Sequence, residues 1–96
     1  IGSNNFFWEQ SLISSYNNIK DNCYFGPKVT ISSYCLVEDN SVFGIASVIK
    51  AKVKISKKTL IGANSYISKD TKENDVYGVR NSDFLGAISS KINISL

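Results

Sequence analysis

The stretch Thr59-Leu-Ile-Gly-Ala-Asn-Ser-Tyr-Ile67 carries two isoleucines six residues apart, each placed two positions after a small hydroxylated residue, Thr59 and Ser65. An α-helix repeats its apolar face every three or four residues and a β-strand every two, so neither accounts for an interval of six. Stepping by six from the first residue gives Ile1, Phe7, Ile13, Ile19, Phe25, Ile31, Val37, Phe43, Ile49, Ile55, Ile61 and Ile67, all bulky and apolar. Two positions before each later member runs a second column: Asn5, Ser11, Asn17, Cys23, Val29, Cys35, Ser41, Ser47, Val53, Thr59 and Ser65, continued by Thr71. All of these are small or compact. Apolar residues make up 43% of the chain, so an unbroken bulky column in one register is a structural repeat and not a coincidence of composition.

A hexapeptide whose alternate residues point inward supplies one short strand and one turn, and three such units close a triangular coil of eighteen residues. Stacked coils form parallel strands about 4.8 Å apart, with the bulky column filling the interior and the compact column near the corners. The spacing therefore predicts an all-β fold, a parallel β-helix of about four eighteen-residue coils over residues 1–72. Gly26, Gly44 and Gly62 fall on one corner of consecutive coils. There glycine serves either a positive φ at a sharp turn or the close approach of another backbone or a ligand. The outward position before each bulky residue stacks Phe6, Tyr24, Val42 and Leu60 on one face, and Leu12, Thr30, Val48 and Tyr66 on a second. The third face reads Asn18, Leu36 and Lys54. Two apolar stripes on so small a prism predict side-by-side packing in a symmetric oligomer, with Trp8 as a further contact.

The six-step pattern fails at Glu73, so residues 73–96 read as a separate C-terminal part. An irregular polar loop leads to a short closing helix, with Asp83 as N-cap and Phe84, Leu85, Ile88 and Ile92 at helical spacing.

A chain of 96 residues is one domain that buries roughly 60–65% of its unfolded surface, which again favours a partner. It opens on isoleucine and contains no methionine, and reads as part of a longer polypeptide. No run of about 18 apolar residues marks a membrane span, and no charged-then-apolar leader marks a signal peptide, so a soluble cytoplasmic protein is expected. A net charge of +3 is too mild for a nucleic-acid footprint. Cys23 and Cys35 have neither C-x-x-C spacing nor histidine company and read as reduced core residues, with no metal site. The lysines of Lys50-Ala-Lys-Val-Lys-Ile-Ser-Lys-Lys58 read as a solvated face alternating with inward Val53 and Ile55.

Ile61-Gly-Ala-Asn-Ser-Tyr66 resembles the unit of the hexapeptide-repeat acyltransferases: an aliphatic residue, a small residue, two variable positions, a Ser/Thr/Ala/Val and one more. Ile61-Gly-Ala-Asn-Ser-Tyr-Ile-Ser-Lys-Asp70 followed by Val76-Tyr-Gly-Val-Arg-Asn-Ser82 is similar to the run IGAGAVVTKD and V-x-x-GNPAK that ends the coils of the sugar acetyltransferases in that family. The resemblance implies a left-handed helix, a homotrimer, and transfer of acetyl from acetyl-CoA to an amino or hydroxyl group of a sugar or nucleotide-sugar. It also implies a coenzyme cleft along the coils between subunits, beside Gly44, Ala46, Gly62 and Ala63, with Lys69, Lys72 and Arg80 near the phosphates. Arg80-Asn-Ser82 stands where the family has P-A-K. The family's general base is a histidine in a segment like H-D-x-x-I-G, which the register places on Ser15-Tyr-Asn-Asn-Ile-Lys20, and this chain has no histidine. Glu9, Ser15 and Tyr16 are the candidate catalytic residues in that neighbourhood. The competing expectation is a catalytically silent β-helix that serves as a scaffold or oligomerisation module.

Overall fold

The computed structural model describes residues 1–79, 81–86 and 89–91. The chain folds as a left-handed parallel β-helix. Every strand is two residues long, an outward residue followed by an inward one. Wall one stacks β1 (Phe6–Phe7), β4 (Tyr24–Phe25), β7 (Val42–Phe43), β10 (Leu60–Ile61) and β12 (Val76–Tyr77). Wall two stacks β2 (Leu12–Ile13), β5 (Thr30–Ile31), β8 (Val48–Ile49) and β11 (Tyr66–Ile67). Wall three stacks β3 (Asn18–Ile19), β6 (Leu36–Val37) and β9 (Lys54–Ile55). Up to β11 the register is eighteen residues throughout, Phe7 over Phe25 over Phe43 over Ile61. The inward and outward columns fall on the walls that the six-step count assigns.

Bulky residues from Ile19 to Ile67 are buried. Phe7, Phe25 and Phe43 stack nearly parallel along the axis with centroids 4.5 and 4.7 Å apart. Each fully buried member contributes about 1.5–3 kcal/mol of transfer free energy. Ile1 departs from the column and is 75% exposed, because only its upper side meets another coil. The compact column is buried from Cys23 onward, and its polar members bond the backbone of the corners. Asn5 and Asn17 reach up with Oδ1 to accept from Cys23 N and Cys35 N, at 2.8 and 2.7 Å. Ser41 Oγ donates to Ser56 O, and Cys23 Sγ to Glu38 O. Burial pushes the Cys23 thiol up from its ordinary pKa, so it remains an inert, protonated core group.

The corners correct one expectation. None of the three corner glycines has a positive φ. The left-handed position falls two residues later in each turn and is held by Asn4, Gln10, Tyr16, Asn22, Lys28, Tyr34, Asn40, Ala46, Lys52, Lys58 and Asn64. Close approach alone explains the glycines: a Cβ on Gly44 would lie 2.6 Å from Ala63 N, and one on Gly26 would lie 3.1 Å from Ile45 N.

The C-terminal boundary is a second correction. The chain does not leave the prism at residue 73. It shortens the second corner and wall three by two residues, makes a turn at the third corner in which Asn74 N donates to Lys57 O at 3.1 Å, and returns to wall one as β12, in register with β10, only sixteen residues after it. Thr71 is buried but has shifted out of the compact column: it bonds Lys54 O, Ser56 and Thr59, over wall three and the third corner. The shortcut also closes the upper edge of wall three with side chains: Lys54 N donates to Asp70 Oδ1 at 2.8 Å and Ser56 N to Thr71 Oγ1 at 2.9 Å. The closing helix from Asp83 is not formed over residues 81–86, which have no regular structure. Phe84 and Leu85 are 90% and 88% exposed, and without a partner surface their helical spacing has nothing to pack on. A single 3-10 turn spans Ser89–Lys91, and Ile88 and Ile92 lie outside the described residues.

Candidate functional site

The first corner, between walls one and two, carries the glycine column. Coil by coil it presents Trp8-Glu-Gln-Ser11, Gly26-Pro-Lys-Val29, Gly44-Ile-Ala-Ser47 and Gly62-Ala-Asn-Ser65, and above them Gly78-Val79. Because Gly44 and Gly62 lack side chains, successive turns lie close, with Gly44 N donating to Ile61 O and Gly62 N to Tyr77 O, each at 2.7 Å. At the upper end this corner opens into a cleft of about 660 Å³ lined by Gly62, Ala63, Asn64, Gly78, Val79, Asn81 and Ser82. Its described lining is small and uncharged: backbone amides, two carboxamides and one hydroxyl. Such a surface admits an extended chain with amide groups and offers it hydrogen bonds from both sides. Below the cleft floor Ser65 Oγ is buried without a hydrogen-bond partner among the described residues, whereas Ser47 and Ser11 on the same corner donate to Gly44 O and Trp8 O, each at 2.9 Å.

Of the expected coenzyme-contacting residues, Gly62 and Ala63 line this cleft, and Gly44 and Ala46 stand one coil lower on the same corner. Ala46 is half-buried, holds the left-handed position with φ 57° and donates its N–H to Pro27 O at 2.9 Å. Lys69 is elsewhere: it borders a shallower hollow of about 310 Å³ with Tyr66, Ile67, Ser68, Asp70 and Tyr77, at the second corner. Lys72 lies at the third corner, and its backbone N–H is tied to Asp75 Oδ2 at 2.8 Å. Arg80 lies outside the described residues. The lysines between residues 50 and 58 spread over wall three and its two corners, away from the cleft, and Lys54 pairs with Glu38 at 3.3 Å.

The candidate catalytic residues do not converge. Glu9 is an exposed residue of the first corner, in the lowest coil, two coils beneath Gly44 and so roughly 10 Å along the axis. Ser15 and Tyr16 belong to the second corner, across wall two from Glu9. Tyr16 has φ 63°, is exposed, and stacks on Tyr34 with centroids 5.1 Å apart, so its ring is part of a ladder. Trp8 is better held than any of these: its Nε1 donates to the Tyr24 hydroxyl and its ring meets Phe6 edge-on at 5.4 Å.

Asn64, Gly78, Val79, Asn81 and Ser82 were not expected in the cleft. Asn64 follows from the six-step register once the cleft is known. The others lie in the segment that resembles the family's terminal motif, but no periodicity brings that segment back over the corner. The anchor that does so is a small polar cluster. Asp75 accepts from Lys72 N and from the Tyr77 hydroxyl, the latter at 3.0 Å. These bonds hold the Asp75 carboxyl below its usual range and raise the Tyr77 phenol.

Among the described residues no group of three or more His, Cys, Asp or Glu is placed to hold a metal ion, and no helix is long and apolar enough to cross a membrane. No family model matches this sequence, and no curated protein or solved structure matches it.

Proposed function

We propose that the chain is an acetyl-CoA-dependent acetyltransferase acting on an amino or hydroxyl group of a sugar or nucleotide-sugar, working as a homotrimer in the cytoplasm. The observation that carries this reading is the first corner: a glycine column too tight for any Cβ at Gly44, rising into a cleft at Gly62, Ala63 and Gly78 whose described lining is uncharged. That shape suits a pantetheine arm laid along the coils, its amides meeting main-chain groups. In the reaction the acceptor oxygen or nitrogen adds to the thioester carbonyl, the carbon–sulfur bond breaks, and the coenzyme leaves as a thiol carrying the acceptor's proton. Glu9 is the candidate proton acceptor that shares the corner with the glycines, which favours it over Ser15 and Tyr16.

The test is thiol release from acetyl-CoA by the oligomer in the presence of a panel of nucleotide-linked and free amino sugars. Turnover that falls at least tenfold in Glu9→Gln supports both the reaction and the base. Equal turnover in that variant rejects Glu9. A second reading has its own observation: the chain contains no histidine, and the three candidate catalytic residues sit on two corners. A silent scaffold binds coenzyme without turnover or ignores it, so absence of thiol release with every acceptor favours that reading.

A further inference from the structure

Among the large apolar side chains left in water, two separate sets lie near the cleft end of wall one and along it. One is the outward strip of wall one, where Phe6, Tyr24, Val42, Leu60 and Val76 are all exposed and no charged residue interrupts them. The other is the pair Phe84 and Leu85, almost wholly exposed on an irregular segment that runs on beyond Ser82 at the cleft. Within one copy the two sets stay apart, since both remain in solvent.

Area decides what each can do alone. Five strands make the strip roughly 20 Å tall, and two-residue strands make it one outward side chain wide. Strip against strip therefore buries on the order of 200–300 Å² per copy, where a specific stable interface takes about 800 Å² from each partner. A phenylalanine delivered by an arm adds about 150–200 Å², and the leucine beside it adds further apolar area. The arm and the strip are different patches of one chain. A contact between them across copies is heterologous, and such contacts close into rings when the rotation allows.

We propose that the Phe84–Leu85 arm of one copy packs on the outward strip of wall one of a second copy, so that the ring is held by arm exchange. The proposal rests on the homotrimer reading above and names the contact that holds it. Because the arm continues from Val79, Asn81 and Ser82, the exchange also ties the upper lip of each cleft to the neighbouring subunit.

Complementation tests it. Phe84→Ser combined with Leu85→Ser removes the arm's grip. Val42→Lys, or Leu60→Lys on the same strip, puts a charge on the wall at a solvent-facing position that leaves the coil's interior untouched. Each variant, checked by far-UV circular dichroism, is expected to sediment as a monomer where the parent sediments as a trimer. Mixing the arm variant with either wall variant is expected to restore dimers, because one intact arm still meets one intact wall. An arm variant that sediments like an oligomeric parent, or monomeric variants that do not recombine, overturns arm exchange and leaves the trimer reading standing. A parent that is monomeric at every concentration removes the trimer reading and arm exchange together.

Discussion

At single positions the left-handed turn residue sets much of the sequence. Among the described residues asparagine holds five of the twelve non-glycine positions with positive φ: Asn4, Asn22, Asn40, Asn64 and Asn74. Asparagine visits this region with local side-chain support, whereas other L-residues lose about 1–2 kcal/mol there. Lys58, exposed at φ 58°, is therefore a correctable site. Lys58→Asn is expected to stabilise the fold by about 0.5–1 kcal/mol, read as a rise of roughly 2–6 °C in thermal midpoint. An unchanged or lower midpoint would show that the turn is not under this strain. Gly44 is the opposite case. Gly44→Ala drives a methyl group to 2.6 Å from Ala63 N and is expected to cost about 1–3 kcal/mol. Gly62→Ala, whose nearest atom is Tyr77 O at 3.1 Å, should cost less, and chemical denaturation of both variants checks the order. The glycine column was legible in the sequence, but its reason was not: the eighteen-residue spacing locates the corner, while only coordinates show that the positive φ falls two residues later.

Among elements, the strand that the six-step count misses is the one that completes the cleft. β12 has no periodic signal because its coil is two residues short, and in place of the missing third-wall strand Asp70 Oδ1 accepts from Lys54 N at 2.8 Å. Thr71 serves the same edge, accepting from Ser56 N while its hydroxyl meets Thr59 Oγ1 at 3.0 Å. Thr71→Val leaves the Ser56 N–H without a partner and is expected to cost about 1–3 kcal/mol. Faster hydrogen exchange at Ser56 than at Ile31 would locate the loss on wall three. The Asp75 anchor carries a pH dependence of definite sign. Its folded pKa is lowered by the Lys72 N–H first and the Tyr77 hydroxyl second, so the anchor is fully in place above the unfolded carboxylate value. It is lost as pH falls through the depressed folded value. Nuclear magnetic resonance should show the Lys72 amide and the Tyr77 ring shifting together in that acid range, and Asp75→Asn should abolish the transition. A Tyr77 ring insensitive to acid would contradict the anchor.

For the molecule as a whole, twelve hexads specify the architecture. An inward position recurring every six residues fixes three walls, and eighteen-residue stacking fixes which residues share one. Gly44, Ala46, Gly62 and Ala63 were thereby assigned to one corner. What periodicity could not supply lies outside it: the return of residues 76–82 over that corner, and the separation of Glu9 from Ser15 and Tyr16 by a full wall. Lys69 and Lys72 also look adjacent in sequence, yet a coil turns between them onto different corners. Under the proposed function the first corner receives the coenzyme. Calorimetric titration of the oligomer with acetyl-CoA tests it against Ala63→Trp, a substitution at an exposed cleft residue that fills the cleft without entering the core. Saturable binding near one coenzyme per chain, weakened at least tenfold in Ala63→Trp, is the predicted result; no binding by the parent, or equal binding by both, would contradict it.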